Sequence, residues 1–566
     1  MLVDITRKVS DNLLPFDVCI VGSGPAGITI ARESSRAGFR VCILESGGNR
    51  STEDTQDLNA GTVDSAHGYH ERTLREGRRR QFGGTANLWN HEVRGESSRH
   101  IRCVPLDEID FERRDWVPES GWPFSRREIQ HFYERAQQVC GIGKFDYRAE
   151  AWETGTEISQ PWQTESIESV VSQFGSSRIF LEHYRRELAR DERVTVILRA
   201  VCLQFRMEPL SRGIISAQAG TRDGWKFEVR AKIFVLAGGG LENARILLLQ
   251  DALQPGGLGN QHDMVGRCFM DHPTIKLGAL IPSSNAIFGE ARFYDQHDVG
   301  GQDIMGILRI RPDVMRRERM LNHCAVLVPA FRNLRANGPA VLHQLLHRSQ
   351  RFIWRRLAGR RYVSQSCGEP RQPRQPLRLR LLEQHYSEGQ CGWSRLNGME
   401  RRFGEFGLHS LVEQSPDRSN RVTLQEQTDA FGQRKIKVLW RWNELDLRSI
   451  RQAQQIFREE LGAAGIGIFI PVQENFGSQP RSFNSPHHFL GTTRMHDNPR
   501  NGVVNADCRV HDIPNLFIAG SSVFPTGGFA NPTLTIVALA LRLATRLQLE
   551  LQSMPQVRAD PAPVTS

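Results

Sequence analysis

The sequence predicts an α/β fold that opens on a strand–turn–helix–strand unit and extends over two domains. Three observations carry this. Residues 18–21 (Val-Cys-Ile-Val) are an apolar run of the length of a buried parallel strand, followed at once by Gly22, Gly24 and Gly27. Residues 28–36 read as the helix after that turn, and a second apolar run, 40–44, ends at Glu45. The length, 566 residues, exceeds what one hydrophobic core normally serves.

The glycines have distinct duties. In Gly22-Ser-Gly-Pro25-Ala26-Gly27 the first permits a tight turn, the second lets backbone approach a pyrophosphate, and the third lets the helix pack on the strand. The helix start offers its positive end to phosphate. Glu45, with Ser46 after it, stands where a carboxylate bonds a ribose hydroxyl, which argues against a 2′-phosphate. The pattern predicts a dinucleotide site, the alternative being an ordinary strand–turn–helix unit with no ligand.

Charge and composition remove other classes. The net charge of +10 rests on arginine, with only seven lysines, and no nucleic-acid-binding motif accompanies it. No nucleic-acid partner is expected. Ten cysteines are scattered without CxxC or metal-ligand spacing, so no metal is expected. The N-terminus lacks the apolar core of a signal peptide, and no apolar run reaches membrane length, which reads as cytoplasmic.

Further along, residues 49–80 read as polar and irregular. Gly83-Gly84 then suits backbone lying close to a ligand, in the run Phe82-Gly-Gly-Thr-Ala-Asn87-Leu88. Ser125 and Glu128 form a capping box for a helix at 126–139. Strands are expected at 194–205 and 231–236, the second leading into Ala237-Gly238-Gly-Gly240 and a helix at 242–250. Residues 342–361 combine helically spaced apolar residues with six arginines, a pattern suited to a lid, an oligomer contact, or docking on a membrane surface or protein partner. Residues 370–376 read as a Pro-rich connector and 551–566 as a flexible tail.

The C-terminal part carries the chemistry. The runs His488-Phe-Leu-Gly-Thr-Thr-Arg-Met495, Asn515-Leu-Phe-Ile-Ala-Gly520 and Pro525-Thr-Gly-Gly-Phe-Ala-Asn531-Pro532-Thr533 resemble the glucose–methanol–choline (GMC) oxidoreductases, most closely the branch with pyranose oxidase and related sugar and glycoside oxidoreductases. The likeness extends to residues 22–45, 82–85, 236–245 and to Val265-Gly-Arg-Cys-Phe-Met-Asp-His-Pro273. It implies FAD as cofactor, with Val201, Ala237, Gly238, Gly520, Ser521, Asn531, Pro532 and Thr533 contributing to its site. It also implies a Rossmann-like FAD domain assembled from 1–95, 190–275 and 486–550, and a substrate domain, 96–189 and 276–485, with a largely antiparallel sheet.

By the same resemblance His488 is the active-site base and Asn531 its partner. A neutral imidazole suits proton removal from an alcohol, and an uncharged amide suits holding a developing alkoxide. Taken without the motif, His488 reads as a packed histidine, and Asn531 as a helix cap. His487, His91, His272 and His496 have weaker claims and read as structural. Pyranose oxidase ties flavin to a histidine where this chain has Leu88, so non-covalent FAD is expected. The leading function is oxidation of a CH–OH group of a sugar, glycoside or polyol-like alcohol, with O2, a quinone or a cytochrome as electron acceptor. The alternatives are a flavin-containing lyase and a subunit that passes electrons to a partner. No second glycine fingerprint supports an NAD(P)H-driven enzyme.

Overall fold

A computed structural model describes residues 1–4, 15–65, 69–88, 91–93, 96–152, 162–176, 178–331, 392–396, 398–472, 485 and 487–554. The segments 342–361, 370–376 and 555–566 lie outside them.

Val18, Cys19 and Ile20 are wholly buried, as a run apolar on both faces requires. They belong to strand Phe16–Val21 in an eight-stranded sheet. Val41–Glu45 lies parallel on one side of it and Lys226–Leu236 on the other. Val194–Leu198 and then Leu2–Asp4 extend the sheet beyond Val41–Glu45. Strand Lys226–Leu236 has two roles. Its second half carries Leu516–Ile518 in parallel, while its first half pairs antiparallel with Ile214–Gly220, which pairs in turn with Val201–Met207. The C-terminal run 515–520 thus enters the same sheet as the N-terminal unit, through Lys226–Leu236. Helix Pro25–Arg36 packs against helix Thr533–Ser553, which also packs on helix Gln130–Cys140.

The second sheet has nine strands and is antiparallel, the α/β organisation expected. It runs from Gly467–Pro471 through Thr274–Pro282, Phe403–Leu411, Cys324–Phe331, Gln302–Ile310 and Ile167–Ser176 to Glu96–Cys103. Of two apolar cores, one holds the first sheet together with Phe174, Ile307 and Val326 of the second, and the other holds second-sheet residues such as Val171, Leu308 and Leu327.

Local readings needed correction where long-range contacts decide. Residues 194–205 are two strands, not one: Arg199 turns the chain at φ 61°, its N–H bonded to Gly47 O at 3.0 Å. The stretch read as irregular holds helices Glu53–Gln56 and Glu71–Glu76 and strand Gly61–Asp64. These elements are too short for periodicity to reveal. Gly61–Asp64 pairs with Arg434–Leu439, and helix Gln130–Cys140 packs on helix Thr533–Ser553, so both contacts cross the domain division drawn from sequence. Helix Thr533–Ser553 also runs three residues into the stretch read as tail. The Ser125–Glu128 capping box forms as expected.

Candidate active site

Gly22 stands at φ +110°, and a Cβ there would lie 2.5 Å from the Ala237 carbonyl oxygen. Only glycine satisfies both constraints. Gly24, the N-cap of helix Pro25–Arg36, offers no side-chain cap, and a Cβ on it would meet nothing within 4 Å. That helix start opens onto a cavity, an arrangement that accepts phosphate.

The cavity is walled by Gly22, Gly24, Pro25, Ala26, Glu45, Ser46, Gly84, Val201, Ala237, Gly238, His488, Gly520, Ser521, Pro532 and Thr533. Four residues expected there, Gly27, Gly83, Asn87 and Asn531, are not in its wall. A Cβ on Gly27 would lie 2.1 Å from Gly22 O, so this glycine serves helix packing. Gly83 hands its N–H to Ser23 O at 3.0 Å, and Asn87 Nδ2 braces the same loop by donating to Phe82 O and Gly84 O. Glu45 lines the cavity while tying two loops together: Oε2 accepts from Ser23 N and Oγ at 3.0 and 2.7 Å, and Oε1 from Gly47 N at 2.7 Å. Burial raises its pKa, opposed by those bonds.

A charged wall completes the cavity. Glu242 lies 2.8 Å from Arg80 and 3.3 Å from Arg78, and Arg245 contacts both Glu242 and Asp429. Burial alone would raise the Glu242 carboxyl, but Arg80, Arg245 and Arg78 bring it down to about 2. Along the cavity itself Arg78, Arg79 and Arg80 stand against Glu45 and Glu242, a positive excess suited to a dinucleotide's diphosphate. The open helix start, the glycine cradle and this excess all fit FAD.

His488 stands at one end. Met270 and Leu490 bridge antiparallel, which lays residues 271–272 beside 488–489. The buried Asp271 Oδ1 accepts the backbone N–H of His488 at 2.9 Å and of His272 at 2.8 Å. Asp271 Oδ2 takes Tyr69 Oη at 3.3 Å and Ser485 Oγ. The His488 ring lies between two partners: Nδ1 is 3.2 Å from His272 Nδ1, and Nε2 is 3.4 Å from Asn531 Nδ2. Asn531 therefore faces the histidine and not the helix start, where Pro532 is the N-cap and no side chain caps. An imidazole and an amide converging beside a dinucleotide cavity can take a proton from an alcohol and hold its oxygen.

Comparison with known proteins agrees. Residues 15–126 match a family model described as FAD binding domain, and residues 416–540 one described as GMC oxidoreductase. Over residues 416–540 the chain is similar to the GMC oxidoreductases. FAD is its cofactor. Its relatives include the 2-methyl-1,2-propanediol dehydrogenase of Mycolicibacterium austroafricanum, 26% identical over 60% of this chain and 52% of that one, about half its length. The fructose dehydrogenase large subunit of Gluconobacter japonicus is 23% identical over 96% of this chain and all of its own. Pyridoxine 4-oxidase from Mesorbium loti shares the fold, with a TM-score of 0.50 and 15% identity over 94% and 99% of the two chains.

Within this site, sequence reasoning missed Arg78, Arg80, Glu242 and His272. His272 was read as structural, yet it touches His488; the signal was the Asp271-His272-Pro273 run inside a stretch already noted for its resemblance. His487 takes φ 65°, its ring against Gly77. The side chain of His91 and the whole of 342–361 lie outside the described residues. Among the described residues no cluster suits a metal, and no helix is long and apolar enough to cross a membrane.

Two buried histidines make stability acid-sensitive. Burial lowers the pKa of both His272 and His323 to about 4. The unfolded imidazole protonates near 6.5, so the unfolded state binds the proton first as pH falls. Stability is full above about pH 6.5 and is lost towards pH 4, each ring costing about 3 kcal/mol. Urea midpoints should fall between pH 7.5 and 5, and His323→Gln should flatten that slope.

Proposed function

We propose that this enzyme oxidises a CH–OH group of a sugar, glycoside or polyol-like alcohol to a carbonyl. The observation that carries the reading is the convergence of His488 Nε2 and Asn531 Nδ2 to 3.4 Å at the edge of the dinucleotide cavity. FAD supplies the hydride acceptor when bound, held by the glycine turn, the start of helix Pro25–Arg36 and the Arg78–Arg80 wall. The protein's own work is to place the alcohol between imidazole and amide. His488 Nε2 takes the hydroxyl proton, and Asn531 donates to the oxygen as its negative charge grows. Relatives named for a propanediol and for fructose support the alcohol or sugar class.

Anaerobic mixing with sugars, glycosides and simple alcohols tests this. The oxidised flavin band should bleach with at least one of them. Readmitted air then separates an oxidase from a dehydrogenase that needs a quinone or cytochrome. A flavin that none of them bleaches would contradict the reading.

FAD is held without a covalent bond in this proposal, because Leu88 offers no nucleophile. Acid precipitation should leave all the flavin in the supernatant; yellow pellets would refute it.

A further inference from the structure

We propose that His272 sets the tautomer of His488, holding that ring's single proton on Nδ1 so that Nε2 is bare. The inference rests on His488 being the base, as above.

Two ring nitrogens 3.2 Å apart share one proton, since two lone pairs or two N–H groups at that distance repel. The surroundings decide which ring owns it. His272 is 1% exposed, and its Nε2 lies beside the backbone of Gly527 without a hydrogen bond to it. A neutral imidazole has one proton. Kept on Nε2 of His272, it leaves Nδ1 as an acceptor, and His488 Nδ1–H must donate. The opposite edge of His488 decides for this arrangement. Asn531 Nδ2 is a donor only, so the Nε2 it faces at 3.4 Å accepts.

The backbone makes this juxtaposition obligatory. Asp271 Oδ1 binds the N–H of both histidines, so neither residue can shift along the Met270–Leu490 bridge without breaking a buried bond. The rings then meet edge to face, centroids 5.3 Å apart at 83°. Deep burial keeps His272 neutral at physiological pH, so it stays an acceptor throughout. During oxidation the substrate O–H bond breaks and an Nε2–H bond forms on His488, while the hydride leaves to FAD. His272 gains and loses nothing; it keeps its bond to Nδ1–H and faces the imidazolium as a neutral partner. It is a positioning residue.

The test pairs His272→Leu, which removes the acceptor, with His272→Asn, whose amide oxygen restores one, and His488→Ala as reference. In anaerobic stopped-flow, His272→Leu should keep FAD and the substrate concentration for half-saturation, yet reduce flavin about ten- to a hundredfold more slowly. His272→Asn should recover most of that rate. Independently of turnover, 15N-histidine spectra of the resting holoenzyme should show the His488 signal, identified by its loss in His488→Ala, protonated at Nδ1 and bare at Nε2. A His272→Leu enzyme reducing at the wild-type rate, a His272→Asn enzyme no better than His272→Leu, or a resting Nε2–H on His488 would overturn the proposal. The spectrum of the unmutated protein decides the matter should His272→Leu fail to fold. An inert His488→Ala beside a fully active His272→Leu refutes only the tautomer role. An active His488→Ala removes the base assignment itself.

Discussion

His488→Ala is expected to keep FAD and to lose alcohol-driven flavin reduction by about 10²- to 10⁴-fold, the range a positioned general base supplies. Retention follows from where the ring stands. The cradle depends on Gly22, on the start of helix Pro25–Arg36 and on the Arg78–Glu242–Arg80 wall, none of which His488 supports. The backbone N–H that Asp271 accepts is unchanged by the substitution, so the 488–490 strand stays in register. What disappears is the one imidazole nitrogen facing Asn531. Anaerobic stopped-flow reduction checks this. A loss under about tenfold would be too small for a base doing general-base work.

Glu413→Ala is expected to destabilise the protein by about 3–5 kcal/mol, among the largest single-site effects in the molecule. Arg114 and Glu413 are both wholly enclosed and bonded in parallel, NH1 to Oε2 at 2.9 Å and NH2 to Oε1 at 2.6 Å. Oε2 also accepts the backbone N–H of Asn322 at 2.8 Å. Removing the carboxylate strands a guanidinium where water cannot reach it. In the unmutated protein, burial and the Glu413 charge push the neighbouring Asp110 well above the usual carboxylate range. Replacing both partners at once, as Arg114→Met with Glu413→Leu, should recover much of the loss, because no charge is then left unpaired. Urea unfolding of the holoprotein measures both. The change should also reach the site, since the adjacent Gln414 Oε1 accepts the N–H of Asp271 at 3.1 Å.

What was legible in the sequence was what local rules determine. The run from Val18 to Glu45 could be read because a strand, a glycine turn, a helix and a second strand lie within thirty residues, and each has its own pattern. The antiparallel second sheet followed only from resemblance. The site was readable where one motif holds it, as with His488 and Asn531, whose ring and amide the structure brings together. His272 was not, because its partner is 216 residues away and only the Met270–Leu490 bridge reveals the pairing. The same holds for Glu242, whose meaning comes from Arg78 and Arg80 at 164 residues' distance or nearly so. Single-turn elements such as Glu53–Gln56 give no periodicity at all, and the break at Arg199 depends on a bond to Gly47 O that no window around 199 contains.

The central claim is alcohol oxidation at the expense of FAD, and a single anaerobic turnover with product analysis tests it most directly. Holoenzyme mixed with the alcohol that bleaches it should yield one equivalent of carbonyl product for each flavin reduced. A carbonyl product formed by substrate cleavage while the flavin stays oxidised would mean a lyase, and would contradict the account.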